Sequence, residues 1–268
     1  MLRLSLSLAS SLLLAACAGQ PKAPQYPPLA CPVLPQAGAP QRLIVAAQGE
    51  WQRFGGTTID WRNGERQVLQ VGANERDPAM APAIRTYWQA VPTRLGMVYA
   101  NQNGRSTPTA TDFDVAWSAA FVGWVACAAG VPEGQMPRDE AHFRYIDAVI
   151  NGRDRPDSWF RPFEVIQTPP QPGDLVCLDR GSPTTRLSSW AERVAELGVA
   201  RPLHCDLVVG VQAGQVEAIG GNVEDSVALS LYPTDPQGRL YPLGGPDNPP
   251  GWFLILRPVV PGAVVPVS

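Results

Sequence analysis

Lysine is almost absent from this chain: Lys22 is the only one. Positive charge is carried by arginine, and the formal net charge is −3. That leaves no basic field for a polyanion, which argues against nucleic acid as a partner. With abundant alanine, proline and glycine, the arginine bias reads as genomic base composition rather than an arginine-based function. Histidine is scarce too, with only His142 and His204. Any Ser–His or Cys–His machinery must use one of them. Two histidines and no Cys-x-x-Cys pair supply a zinc site poorly, and no metal or organic cofactor is implied. No Gly-x-Ser-x-Gly sequence occurs, so the main sign of an α/β-hydrolase elbow is missing.

The N-terminus carries more information. "MLRLSLSLASSLLLAAC" has one basic residue, Arg3, then an apolar run that ends at Cys17. The run is too short for a membrane span and fits an export signal. Its end, Leu14-Ala15-Ala16-Cys17, resembles a bacterial lipobox. This predicts a signal peptide over 1–16 and a lipid on Cys17. The ordinary alternative is a signal peptide cleaved nearby. Ala18, in place of the aspartate that favours inner-membrane retention, points to the outer membrane, with the domain facing the periplasm. An exported chain sits in a disulfide-permissive compartment. Cys31, Cys127, Cys177 and Cys205 then allow three pairings, and spacing does not choose among them.

Residues 17–42, rich in proline and alanine, read as a tether. Within it, Cys31 either staples the tether to the domain or stays free. The chain from 43 to 258 reads as one domain, and 259–268 as a loose tail. Helical spacing is predicted in "RLIVAAQGEWQRFGG", "DPAMAPAIRTYWQAVP", "FDVAWSAAFVGWVACAAG", "RDEAHFRYIDAVING" and "SSWAERVAELG". Thr111 and Asp114 form a capping-box pattern ahead of the third. In that helix Trp117, Phe121, Trp124, Val125 and Ala128 make a core stripe, with Ser118 at its border. The second half changes period. "PGDLVCL", "CDLVVGV", "QVEAIGG", "SVALSLY" and "WFLILRP" are short, apolar and β-branched. Helices followed by strands predict an α+β domain with an antiparallel sheet packed on N-terminal helices.

His142 falls inside a predicted helix, where packing or a surface position is the default. His204 opens a strand and is better placed to face a cleft. A three-residue turn centred on Ala213 would set His204 opposite Asn222, with Cβ atoms about 4.5–5.5 Å apart. A two-residue turn at Ala213-Gly214 would pair His204 with Val223 instead. A bulge at Gly220-Gly221 would then restore the first arrangement. Asp206 shares the strand parity of His204 and can assist it. Asp174 reads as a turn cap. Trp88, Trp117, Trp159 and Trp190 suit either core or a groove.

The order of helix residue, strand histidine and next-strand polar residue resembles the papain-fold hydrolases. "WSAAFVGWV" is similar to the nucleophile helix of bacterial NlpC-like and CHAP amidases and peptidases, with serine where they carry cysteine. "PQPGDLVCL", "HCDLVVGV" and "IGGN" resemble their first strand, histidine strand and third polar site. Together, over about residues 45–257, the combination most resembles the bacterial domain of unknown function 2272. The resemblance implies a papain-like (NlpC/CHAP-like) fold. It implies Ser118 as nucleophile, His204 as base and Asn222 as orienting residue, with Trp117 and Ala119 near an oxyanion site. Cys205 would point behind the sheet, and a Cys177–Cys205 contact or disulfide follows if their strands are neighbours. The expected function is hydrolysis of amide bonds in peptidoglycan or its peptides by a membrane-anchored protein. The alternatives are a catalytically silent papain-fold protein that binds peptidoglycan or an envelope partner, and a serine esterase or acyltransferase.

Overall fold

The computed structural model describes residues 29–91, 116–241 and 251–259. Cys17, the leader, Thr111, Asp114 and all of the expected 259–268 tail except Val259 lie outside them. Over these described residues the domain is α+β, built on a mixed eight-stranded sheet with helices packed against it.

Among the described residues the helices are α1 (Ala39–Arg53), α2 (Ala81–Gln89), α3 (Ser118–Ala128), α4 (His142–Asn151) and α5 (Trp190–Val194). Helix α1 starts four residues before Leu43. Pro40 in its first turn has a fixed φ suited to a helix start. It stops where Gly55 and Gly56 both take left-handed backbone, as the Gly-Gly pair predicts. The preceding residues, expected as tether, are fastened to the domain. Cys31 is disulfide-bonded to Cys127, Leu29 N–H donates to the Gln89 carbonyl, and Leu34 N–H donates to that of Gly130. Helix α4 ends at Gly152, and α5 is capped by Ser189, whose hydroxyl accepts from Glu192 N–H.

The strands are β1 (Thr58–Asp60), β2 (Gln67–Gln70), β3 (Phe160–Phe163), β4 (Leu175–Asp179), β5 (Leu203–Gln212), β6 (Gln215–Val223), β7 (Ser226–Pro233) and β8 (Trp252–Pro258). Their order across the sheet is β2-β1-β7-β6-β5-β4-β8-β3. The expected antiparallel sheet needs correcting, because β1 runs parallel to β7. The five strands legible from apolar runs are β4 to β8. The other three lie toward the two ends of the sheet and lack that signature. Strand β2 is exposed at every position, β1 has three residues, and β3 contains Pro162, which a one-sided edge strand tolerates.

The central strands of the sheet are buried on both faces. Leu175, Cys177, Cys205, Leu207, Ile219 and Leu254 join the helices in the larger core cluster. Val176, Val208, Val216, Tyr232, Trp252 and Ile255 form a second cluster. This alternation follows the two-residue period of the strands. The Cys177–Cys205 disulfide links neighbouring strands β4 and β5 on the helix side.

The β5–β6 turn has two residues, Ala213 and Gly214, because Gln212 faces Gln215. The three-residue alternative is therefore overturned. A bulge at Val209 then shifts the ladder, so Leu207 faces Ile219. Carried three residues further, this register sets His204 level with Asn222. The rescuing bulge was expected in β6 at Gly220-Gly221 but sits in β5. A second bulge, between β6 and β7, makes Asn222 the extra residue, with left-handed φ of 56°. Asparagine tolerates that conformation better than most residues.

Candidate active site

Ser118 is the first residue of α3, and its hydroxyl is buried. Trp117 at the N-cap is anchored by its Nε1–H, which donates to Glu75 Oε2 at 2.7 Å, and by packing on Phe54 and Tyr87. The expected amphipathic stripe is only part of the burial. Trp117, Phe121 and Val125 are buried, but Ala128 is exposed, and Ala119, Ala120, Val122, Ala126 and Cys127 are buried as well. A helix buried nearly all round belongs to the interior.

The glycine pair of "IGGN" sets the distance between α3 and the sheet. A Cβ on Gly221 would stand 2.5 Å from Phe121, one turn after Ser118. A Cβ on Gly220 would fall 1.9 Å from Asp206 Oδ1. One glycine lets the helix approach, and the other leaves room for the Asp206 side chain to reach across β6.

Ser118 Oγ lies 2.6 Å from His142 Nε2. His142 opens α4, and its Nδ1 is 2.5 Å from the hydroxyl of Tyr145, one turn later on that helix. His142 is fully buried. Burial, then the nearby charges of His204 and Arg180, hold its pKa well below the ordinary 6.5. Tyr145 is also buried, and burial together with Asp206 pushes its hydroxyl pKa well upward. The sequence reading of His142 as a packing or surface residue is thus corrected: it is the hydrogen-bond partner of Ser118.

His204 stands beside this pair, its ring centroid 5.3 Å from that of His142. Its Nε2 is 2.8 Å from Asp206 Oδ1, as two residues on one strand face can be. The Tyr232 hydroxyl donates to Asp206 Oδ2 at 2.8 Å, reaching from β7 across β6. Asp206 is fully buried, and its two oxygens thus serve β5 and β7. His204 Nδ1 is buried without a protein partner among the described residues.

A cavity of about 330 Å³ opens on the sheet side of this group. His204, Asn222, Tyr232, Trp61, Arg180 and Arg186 contribute to its wall. The structure therefore brings Ser118 to His142, His142 to His204, and His204 with Asn222 to one cavity. Sequence reasoning gave His142 a packing or surface role and did not single out Tyr145, Tyr232 or Arg180. One signal was available for the first two, a histidine and a tyrosine three residues apart on a helix in a chain with two histidines.

Among the described residues no group of three or more histidine, cysteine, aspartate or glutamate side chains is arranged to hold a metal ion. One family model, "Uncharacterized protein conserved in bacteria (DUF2272)", matches residues 75–257. The chain belongs to that family. No curated protein and no solved structure matches it significantly. The span of this DUF2272 domain starts at Glu75, which anchors Trp117, and closes at Arg257, which is ion-paired with Asp174 at 2.8 Å. Asp174 also accepts from Gln171 N–H, the turn-capping role expected of it. Matched residues therefore include Ser118, His142, His204, Asp206 and Asn222 together.

Proposed function

We propose that this DUF2272 domain is an envelope hydrolase that acts through an acyl-enzyme on Ser118, with the chain anchored by a lipid on Cys17. The observation that carries the reading is the 2.6 Å contact between Ser118 Oγ and His142 Nε2. A serine hydroxyl is a weak nucleophile until a base stands within hydrogen-bond reach. When His142 donates Nδ1–H to Tyr145, its Nε2 presents a lone pair to the Ser118 hydroxyl. The depressed pKa keeps the imidazole neutral at neutral pH, the form a base requires.

In the first step Ser118 Oγ bonds to the substrate carbonyl carbon and its proton passes to His142 Nε2. The proton then goes to the departing amine as the carbon–nitrogen bond breaks. Water, deprotonated by the same nitrogen, releases the acyl group and restores Ser118. The first backbone N–H groups of α3, on Ser118 and Ala119, have no acceptor within the helix. Trp117 offers no side-chain cap to them, and they suit the developing oxyanion. His204 is engaged by Asp206, so His204 and Asn222 are assigned to the substrate wall and His142 to proton transfer.

The substrate class is an amide of peptidoglycan or its peptides. The export leader and the resemblance to NlpC-like and CHAP amidases support it, and an α+β domain with Ser118 at a helix start is compatible with a papain-like layout. An ester would be attacked by the same pair. One observation favours a binding role instead: Ser118 is only 7% exposed.

The test incubates the purified chain with peptidoglycan and follows released fragments by mass spectrometry. Ser118→Ala and His142→Ala are expected to lower turnover by about a thousandfold or more, and His204→Ala by less. Turnover untouched by Ser118→Ala would sink the assignment. Turnover appearing only in Ser118→Cys would mark a silent protein.

A further inference from the structure

The cavity beside His204 has an imbalance of charge that the net charge of the chain conceals. Two acids and two arginines line it. Both acids are already committed. Asp179 accepts from Arg201 at 2.7 Å and from two backbone N–H groups, of Gly181 and Leu187. Glu224 pairs with Arg66 at 2.6 Å. The arginines are not committed in the same way. Arg186 gives its Nε–H to the Gly181 carbonyl, and its terminal nitrogens have no protein partner among the described residues. The Arg180 side chain has none there at all. The wall is therefore cationic in effect, and both arginines line a space of about 330 Å³.

We propose that this cavity is a carboxylate-recognition subsite, in which Arg180 and Arg186 hold a free carboxylate of the substrate while Asn222 and Trp61 shape the wall. The inference deepens the hydrolase reading and rests on it for the word substrate. The chemistry follows from guanidinium geometry: parallel N–H groups match the two oxygens of a carboxylate. An acyl-peptide with a terminal or side-chain carboxylate fits. A neutral ester or a fully amidated peptide leaves both arginines without a counter-ion. The position suits a role in turnover, because His204 in the cavity wall has its ring centroid 5.3 Å from that of His142.

The test reads binding, not turnover, so that it can fail apart from the hydrolase reading. Purified full chain carrying Ser118→Ala is titrated with N-acetyl-alanyl-alanine and with its C-terminal amide by calorimetry. The acid is expected to bind roughly ten- to a hundredfold more tightly. Arg180→Gln with Arg186→Gln should erase that preference in a chain that still unfolds cooperatively. Equal affinity for acid and amide, no binding of either, or a preference that survives both arginine substitutions would each overturn the proposal. The acid preference standing while Ser118→Ala leaves turnover unchanged would remove the hydrolase mechanism alone.

Discussion

His142 makes folding stability depend on pH in a direction that can be worked out in advance. In the unfolded chain its imidazole takes up a proton as pH falls through about 6.5. In the folded chain it does so only at lower pH, because burial and the charges of His204 and Arg180 oppose it. Between those two points the unfolded state holds one proton more. Stability is therefore fully present above the unfolded value and is lost as pH falls, by about 1.4 kcal/mol per pH unit. From about pH 7.5 to about pH 5.5 the loss sums to about 1.4 kcal/mol while the folded ring stays neutral. In urea that is a midpoint shift of about 0.5–1 M. Other groups titrate in this range, so the measurement is a difference. Urea unfolding of the oxidised wild-type chain is compared with His142→Gln at both pH values. Glutamine retains a hydrogen-bonding group near Ser118 but carries no titrating proton. The wild type should lose about 1.4 kcal/mol more than the variant. Equal losses would refute the claim that His142 is neutral and buried beside Ser118, and with it the base role.

Gly220→Ala should displace Asp206 from His204 and Tyr232, since the new Cβ would sit 1.9 Å from Asp206 Oδ1. A fully buried carboxylate that loses partners destabilises by more than the ~1–3 kcal/mol typical of a neutral buried group; thermal melting checks this, and an unchanged midpoint would contradict the packing described. Cys177→Ala with Cys205→Ala opens a link spanning 28 residues, and loop entropy predicts a loss of about 3–4 kcal/mol by urea unfolding. Cys31→Ala should instead free the residues before α1, which limited proteolysis would report as new cleavage ahead of Ala39 in an otherwise folded domain.

Much of this architecture is legible locally. Strands β4 to β8 are readable because each is a short apolar run bounded by turn residues, and burial on both faces keeps those runs unbroken. The stops at Gly55-Gly56 and Gly152 are readable because those glycines follow the last residues of helical periods. Strands β1 to β3 are not readable, since an exposed, three-residue or proline-bearing strand forms only where a neighbour supplies its hydrogen bonds. The β5–β6 hairpin was legible as two alternatives, and the bulge that decides between them depends on packing on both sides of the sheet. The arginine bias, taken as base composition, hid Arg180 and Arg186, whose lack of partners exists only once the cavity is formed.

Ser118 near a helix start, His204 at a strand start and Asn222 after a glycine pair were legible from sequence order, although the capping pattern at Thr111 put that start earlier than the observed N-cap, Trp117. The histidine that meets Ser118 was decided elsewhere. Helix α4 brings His142 to the start of α3 from 24 residues away. No local period encodes that approach. It depends on how α3 seats against Gly221 and how α4 docks beside β5, and both are properties of the packed interior.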